Sequence, residues 1–241
     1  MRHHWHIPAY LFLATALAEV LVVSFGFENV HFWLKPLLMP LLAITAGMYL
    51  HSHRISSLMT GLLIASLVAH TLGDIFLLFG ASGFFVAGMI AFLIGHFLYI
   101  VVLGELLNPY KEHPLPKFRR ILANVVVLLV PLAIVLFVRQ HLWMSLLIFC
   151  YAYVLLVIAD LAGRCVTYHI AGAKSALTGI IFFIISDGLL ALNQFAGLEF
   201  PLRHAVVMGT YLIAEAFLVF GICRALTTSR PIRQSGARAL D

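Results

Sequence analysis

Eight runs of apolar residues, separated by loops too short to fold by themselves, confine this chain to one kind of structure. The runs cover residues 8–25, 32–50, 55–79, 84–107, 121–138, 142–162, 176–196 and 205–226. A helix needs about 20 residues to cross the hydrocarbon core of a bilayer, so each run is long enough for one crossing. The long third and fourth runs must tilt or protrude into the interface. With 63% hydrophobic and only 10% charged residues, no water-soluble surface can be built. The expectation is an all-α integral membrane bundle of eight transmembrane helices. It forms one domain over residues 1–226, followed by a basic tail at 227–241.

The basic residues sort by side. Twelve of the 15 Lys and Arg fall at the N-terminus, in every second loop and in the tail: Arg2, Arg54, Lys111, Lys117, Arg119, Arg120, Arg164, Lys174, Arg224, Arg230, Arg233 and Arg238. The opposite side holds Lys35, Arg139 and Arg203. The positive-inside rule then predicts that both termini are cytoplasmic, which requires an even number of helices. This bias accounts for the pI near 9.3 without nucleic acid, which is not expected as a partner. Cys150, Cys165 and Cys223 are odd in number and sit in or beside apolar stretches, so they read as free thiols. The first run follows Arg2 and contains Ala14-Thr15-Ala16, like a secretory leader, but it continues to Phe25 and carries Glu19, so it reads as a retained span. The histidines His3, His4 and His6 read as exposed tail.

The informative residues are those that lipid penalises. An Asp at the centre of a membrane helix costs about 2.5 to 3.5 kcal/mol on insertion scales, so each needs a partner, a wet cavity or a function. Glu19 lies in the first run, Lys35 opens the second beside Pro36, and His70 and Asp74 lie in the third. His96 and Tyr99 lie in the fourth, Asp187 and Asn193 in the seventh, and Tyr211 and Glu215 in the eighth. Asp160 and Glu105 sit near run ends and can snorkel. Helical spacing puts His70 with Asp74, His96 with Tyr99, and Tyr211 with Glu215 on shared faces. Structural readings stand beside the functional ones: interfacial snorkelling for Lys35, interhelical hydrogen bonds for His96, Tyr99 and Tyr211, and pairing with a neighbour for Glu19 and Glu215. Gly73, Gly88 and Gly95 predict close helix approach that brings these groups together. No phosphate-binding loop, serine-hydrolase elbow, zincin motif or paired-cysteine motif is present in the chain.

A set of motifs runs in order through the chain. They are Lys35-Pro36-Leu37-Leu38-Met39-Pro40, Gly73-Asp74 with Leu77-Leu78, Phe84 to Gly88, Phe92, Gly95-His96 with Tyr99, and Ser186-Asp187 with Leu189-Leu190-Ala191 and Phe195. Together these resemble the YhhN-like lysoplasmalogenase family over most of the chain; Glu215 after Ala214 departs from the Gln of that pattern. The resemblance implies a multi-span hydrolase without metal or organic cofactor. Its reaction would cleave the vinyl ether bond of a lysophospholipid to a fatty aldehyde and a glycerophospho-ethanolamine or glycerophospho-choline.

Two carboxyl groups suffice for that chemistry. One must hold its proton to protonate the vinyl carbon remote from oxygen, while the other is ionised to stabilise the cation and activate water. Asp74 and Asp187, at similar depth in two helices, are the expected catalytic pair, in unassigned order. Lys35, His96, Tyr99, Tyr211, Glu19, Asn193 and Glu215 are the candidate substrate-binding groups, with Lys35 facing the phosphate. Two other classes compete. A proton-coupled transporter or channel would use the same buried groups and favour helices broken by Gly or Pro, and here only Pro131 interrupts a run centrally. A metal-dependent lipid hydrolase would need His70, His96 and Asp74 as ligands. The compact loops fit a bacterial inner membrane.

Overall fold

A computed structural model of the protein describes residues 4–80, 82–112, 115–138, 140–197 and 199–228. The described residues form eight α-helices: α1 (His6–Ser24), α2 (Glu28–Ser52), α3 (Ser57–Leu78), α4 (Ser82–Leu107), α5 (Lys117–Val138), α6 (Leu142–Thr167), α7 (Ala173–Ala196) and α8 (Arg203–Thr228). A short 3₁₀ turn, Asn108–Tyr110, follows α4. All eight helices are long and apolar enough to cross a membrane. Arg2, His3, Arg139 and the tail residues Arg230, Arg233 and Arg238 lie outside the described residues.

Helix ends depart from the hydropathy pattern where polar residues extend a helix beyond its apolar run. α2 begins at Glu28 rather than at residue 32, because the Phe27 carbonyl already accepts the amides of Val30 and His31. His31 then reaches Glu19 of α1, which anchors the added turn. Lys35 and Pro36 therefore lie inside α2 and not at its start, and Pro36 and Pro40 are both interior. This corrects the expectation that Pro131 alone interrupts a span. The helix stays continuous, and each proline leaves one carbonyl without its amide donor, a defect that membrane helices tolerate where neighbours compensate. α6 runs on to Thr167, where Arg119 of α5 donates to Gly163 O (3.1 Å) and to the Thr167 hydroxyl. α8 extends two residues into the expected tail, its Thr227 hydroxyl donating to Arg224 O (3.0 Å).

Short loops make consecutive helices antiparallel. α1, α2, α3, α4, α6, α7 and α8 follow one another as packed neighbours, and α8 closes the ring against α1, α2 and α4. α8 is the most buried span, whereas α5, apolar beyond its basic start, packs mainly on α6 and leaves most of its surface unburied. Association in lipid gains little from apolar burial alone, so close backbone approach matters. At α3–α4 the expected glycines supply it: a Cβ on Gly73 would meet the Phe92 ring at 2.7 Å, and one on Gly95 would strike the His70 ring. The tightest backbone contact lies elsewhere, at α7–α8, where a Cβ on Gly179 would stand 2.7 Å from Ala214 O and one on Gly221 2.9 Å from Ala176 Cα. α7 ends at Gly197, whose φ of +64° is the left-handed conformation glycine adopts without steric cost. Cys150, Cys165 and Cys223 are free thiols.

Candidate active site

A cavity of about 890 Å³ opens in the half of the bundle that contains the start of α2, the end of α3 and the start of α8. Phe85, Met89 and Phe92 of α4, Phe137 of α5, Leu155 of α6 and Phe195 of α7 make its wall largely apolar. Among the described residues, six polar or charged side chains enter it: Lys35, Asp74, Tyr151, Ser186, Asp187 and Tyr211. A lipid chain can lie along such a wall while a few convergent polar groups fix its reactive end.

Asp74 and Asp187, on different helices, thus share one chamber. Asp74 is buried, with Tyr211 donating to its Oδ2 at 2.9 Å and the Lys35 ammonium 3.7 Å from Oδ1. Asp187 is half-buried, and Tyr151 of α6 donates to its Oδ2 at 2.6 Å. The two carboxyls differ in company: a cation stands beside Asp74, whereas Asp187 accepts from a phenol. Ser186 is occupied otherwise, donating to Val207 O at 2.9 Å and tying α7 to α8.

Behind this chamber lies a second polar layer that is not part of its lining. Glu215 accepts the Tyr99 hydroxyl at 2.8 Å, and its Oε1 lies 2.5 Å from His70 Nδ1. His96 packs its ring 4.8 Å from that of His70, 4.5 Å from Phe183 and 5.6 Å from Tyr151. All four of His70, His96, Tyr99 and Glu215 are buried. Of the candidate substrate-binding residues, Lys35 and Tyr211 line the cavity. His96, Tyr99 and Glu215 belong to the layer behind it, and the cavity lining also omits Glu19 and Asn193. Glu19 is buried 2.5 Å from His31 Nδ1, between α1 and α2. Near the helix ends, Asp160 faces Arg164 at 3.9 Å, and Glu105 accepts the Asn108 side chain.

Tyr151 is the site residue that sequence reasoning passed over. It sits in an apolar run with no acidic residue at helical spacing, and its partner is 36 positions away, so only tertiary structure identifies it. The rival metal-dependent reading built on His70, His96 and Asp74 finds no support, since among the described residues no three His, Cys, Asp or Glu are grouped as metal ligands.

No solved structure matches the chain. A human protein named lysoplasmalogenase TMEM86B is 31% identical over 166 residues, a stretch that covers 69% of this chain and 65% of the human protein, which is under two thirds of that relative. Residues 30–222, which include α3, α4, α5, α6 and α7 and the polar groups lining the cavity, match the YhhN family, and the chain belongs to that family.

Proposed function

We propose that the protein is a lysoplasmalogenase, hydrolysing the vinyl ether bond of a lysophospholipid with Asp74 and Asp187 as its acid/base pair. The observation that carries this reading is the convergence of two carboxyls from α3 and α7, each held by a tyrosine, on one apolar chamber. The name of the human relative and membership of the YhhN family support the same reaction. With the Lys- and Arg-rich end of the bundle placed in the cytoplasm, both carboxyls fall in the outer half of the membrane.

In this mechanism Asp187 is the proton donor and Asp74 the base. Lys35 places a positive charge 3.7 Å from Asp74, where it complements a carboxylate, whereas Asp187 is hydrogen-bonded to a phenol. Asp187 transfers its proton to the vinyl carbon remote from oxygen, and the double-bond electrons form the new C–H bond. The resulting oxocarbenium ion is stabilised by the Asp74 carboxylate, and water adds to it while Asp74 takes a proton from that water. In the hemiacetal, Asp74 returns its proton to the glycerol oxygen as the C–O bond breaks. Asp187 then accepts the hydroxyl proton of the forming aldehyde, and both groups are back in their starting states.

The test is release of fatty aldehyde from a lysoplasmalogen by the purified protein. Asp74→Asn and Asp187→Asn should each lower the rate by at least about 100-fold, the scale of a lost general acid or base. A double Asn variant that releases aldehyde at the unaltered rate would overturn the reading.

A further inference from the structure

A second crevice, of about 340 Å³, opens at the other end of the bundle, between the 3₁₀ turn after α4, the start of α5 and the end of α6. Lys111, Arg119, Arg120 and Arg164 line it, opposed among the described lining residues by one carboxylate, Asp160. A bias of basic residues toward one face of a membrane protein orients the chain, but it does not require four of them to converge from three elements on one concavity, where they repel.

The four cations are not equally engaged. Arg119 is committed to structure, its guanidinium donating to Gly163 O and the Thr167 hydroxyl. Arg164 holds Asp160 only loosely, at 3.9 Å, and its Nε is buried with no hydrogen-bond partner among the described residues. A buried N–H left in that condition is destabilising, so an acceptor entering the crevice has a donor waiting. Lys111 and Arg120 are exposed and form no ion pair among the described residues. Tyr110 and Tyr168, stacked with centroids 4.6 Å apart, stiffen the wall between them.

The surroundings define the ligand. Directly beside the crevice, α5 exposes Phe118, Ile121 and Leu122, a track suited to acyl chains. We propose that this crevice binds the phosphate group of an anionic membrane phospholipid, with Lys111 and Arg120 pairing its charge, Arg164 Nε donating to it, and the chains lying along α5. A free phosphate ion shares the headgroup chemistry but would make no use of that track.

The experiment measures the unfolding temperature of the full chain in neutral detergent. The probes are dihexanoyl phosphatidic acid, dihexanoyl phosphatidylcholine and inorganic phosphate. The anionic lipid should raise the midpoint in a saturable way while the zwitterionic lipid leaves it in place. Lys111→Gln with Arg120→Gln should raise the concentration needed by at least about tenfold. Arg120→Gln alone should weaken binding where Arg54→Gln, the same charge change in the α2–α3 loop, does not. Arg164→Lys, which keeps the charge and removes the Nε donor, should also weaken it. Saturable stabilisation by inorganic phosphate equal to that by the lipid, and lost in the same variants, would keep the anion site but overturn the lipid assignment. Equal effects of the two lipids, or equal losses in the Arg120 and Arg54 variants, would overturn the site itself.

Discussion

Tyr151→Phe removes one hydroxyl and nothing else from the candidate active site. The ring keeps its place on α6 and its edge contact with His96 at 5.6 Å between centroids, while the 2.6 Å hydrogen bond to Asp187 is lost. A hydrogen bond to a charged group contributes about 1.5 to 3 kcal/mol. If Asp187 delivers the proton, the bond strengthens as the carboxylate is uncovered, so its loss falls on the transition state and not on substrate binding. At 1.36 kcal/mol per factor of ten, kcat should drop by about 10- to 160-fold with KM little changed. Tyr211→Phe is the internal comparison: its bond to Asp74 is longer, 2.9 Å, and Lys35 shares the charge, so the loss should be smaller. Aldehyde release by purified variants over a range of lysoplasmalogen concentrations separates kcat from KM. A Tyr151→Phe enzyme with kcat within twofold of the parent, alongside an inactive Asp187→Asn, would show that Tyr151 does not act through Asp187 and would refute the assignment.

Other perturbations follow from the same contacts. Lys35→Met should lower kcat as well as raise KM, because the ammonium lies 3.7 Å from Asp74; a change in KM alone would detach it from the acid/base pair. Gly179→Ala places a methyl group against the backbone of α8 and should destabilise the bundle by about 1 to 3 kcal/mol in a detergent unfolding assay. Gly61→Ala, where nothing lies within 4 Å, should be neutral or stabilising by up to about 1 kcal/mol, and equal effects at the two positions would discount close packing at α7–α8.

Apolar run length was enough to read eight helices, because a membrane span is specified by a one-dimensional property of the chain. It was poor at their ends: α2 starts at Glu28 and α6 continues to Thr167, since helices go on through polar residues whose side chains find partners such as Glu19 and Arg119. The cost of charge in lipid marked Asp74, Asp187, Glu19 and Glu215 as residues needing an explanation, and the structure supplies a partner for each. Which partner was not legible. Tyr151 and His31 are ordinary residues in sequence, and only the fold brings α6 to α7 and α2 to α1. Helical spacing also misled for Tyr211 and Glu215, which share a face of α8 yet serve different layers, one bonded to Asp74 and the other bonded to Tyr99 and facing His70.

The partners of the buried carboxyls divide them by purpose. Glu19 and Glu215, outside the cavity, each face a histidine at 2.5 Å. Such a pair finds its partner within the protein, so nothing entering from the membrane is needed to stabilise it. Asp74 and Asp187, inside the cavity, each accept a tyrosine hydroxyl, a donor that leaves the proton of the carboxyl free to be given to, or taken from, a substrate. Stability and turnover should therefore separate on substitution. Glu215→Gln keeps an acceptor for Tyr99 but replaces the carboxyl group opposite His70, and it should cost about 1 to 3 kcal/mol of stability while the folded fraction retains kcat within about tenfold. Asp187→Asn should do the reverse, leaving the unfolding midpoint nearly in place and abolishing aldehyde release. Unfolding and turnover measured on the same preparations decide it: a stable but inactive Glu215→Gln would move the layer behind the cavity into the chemistry and end this division of labour.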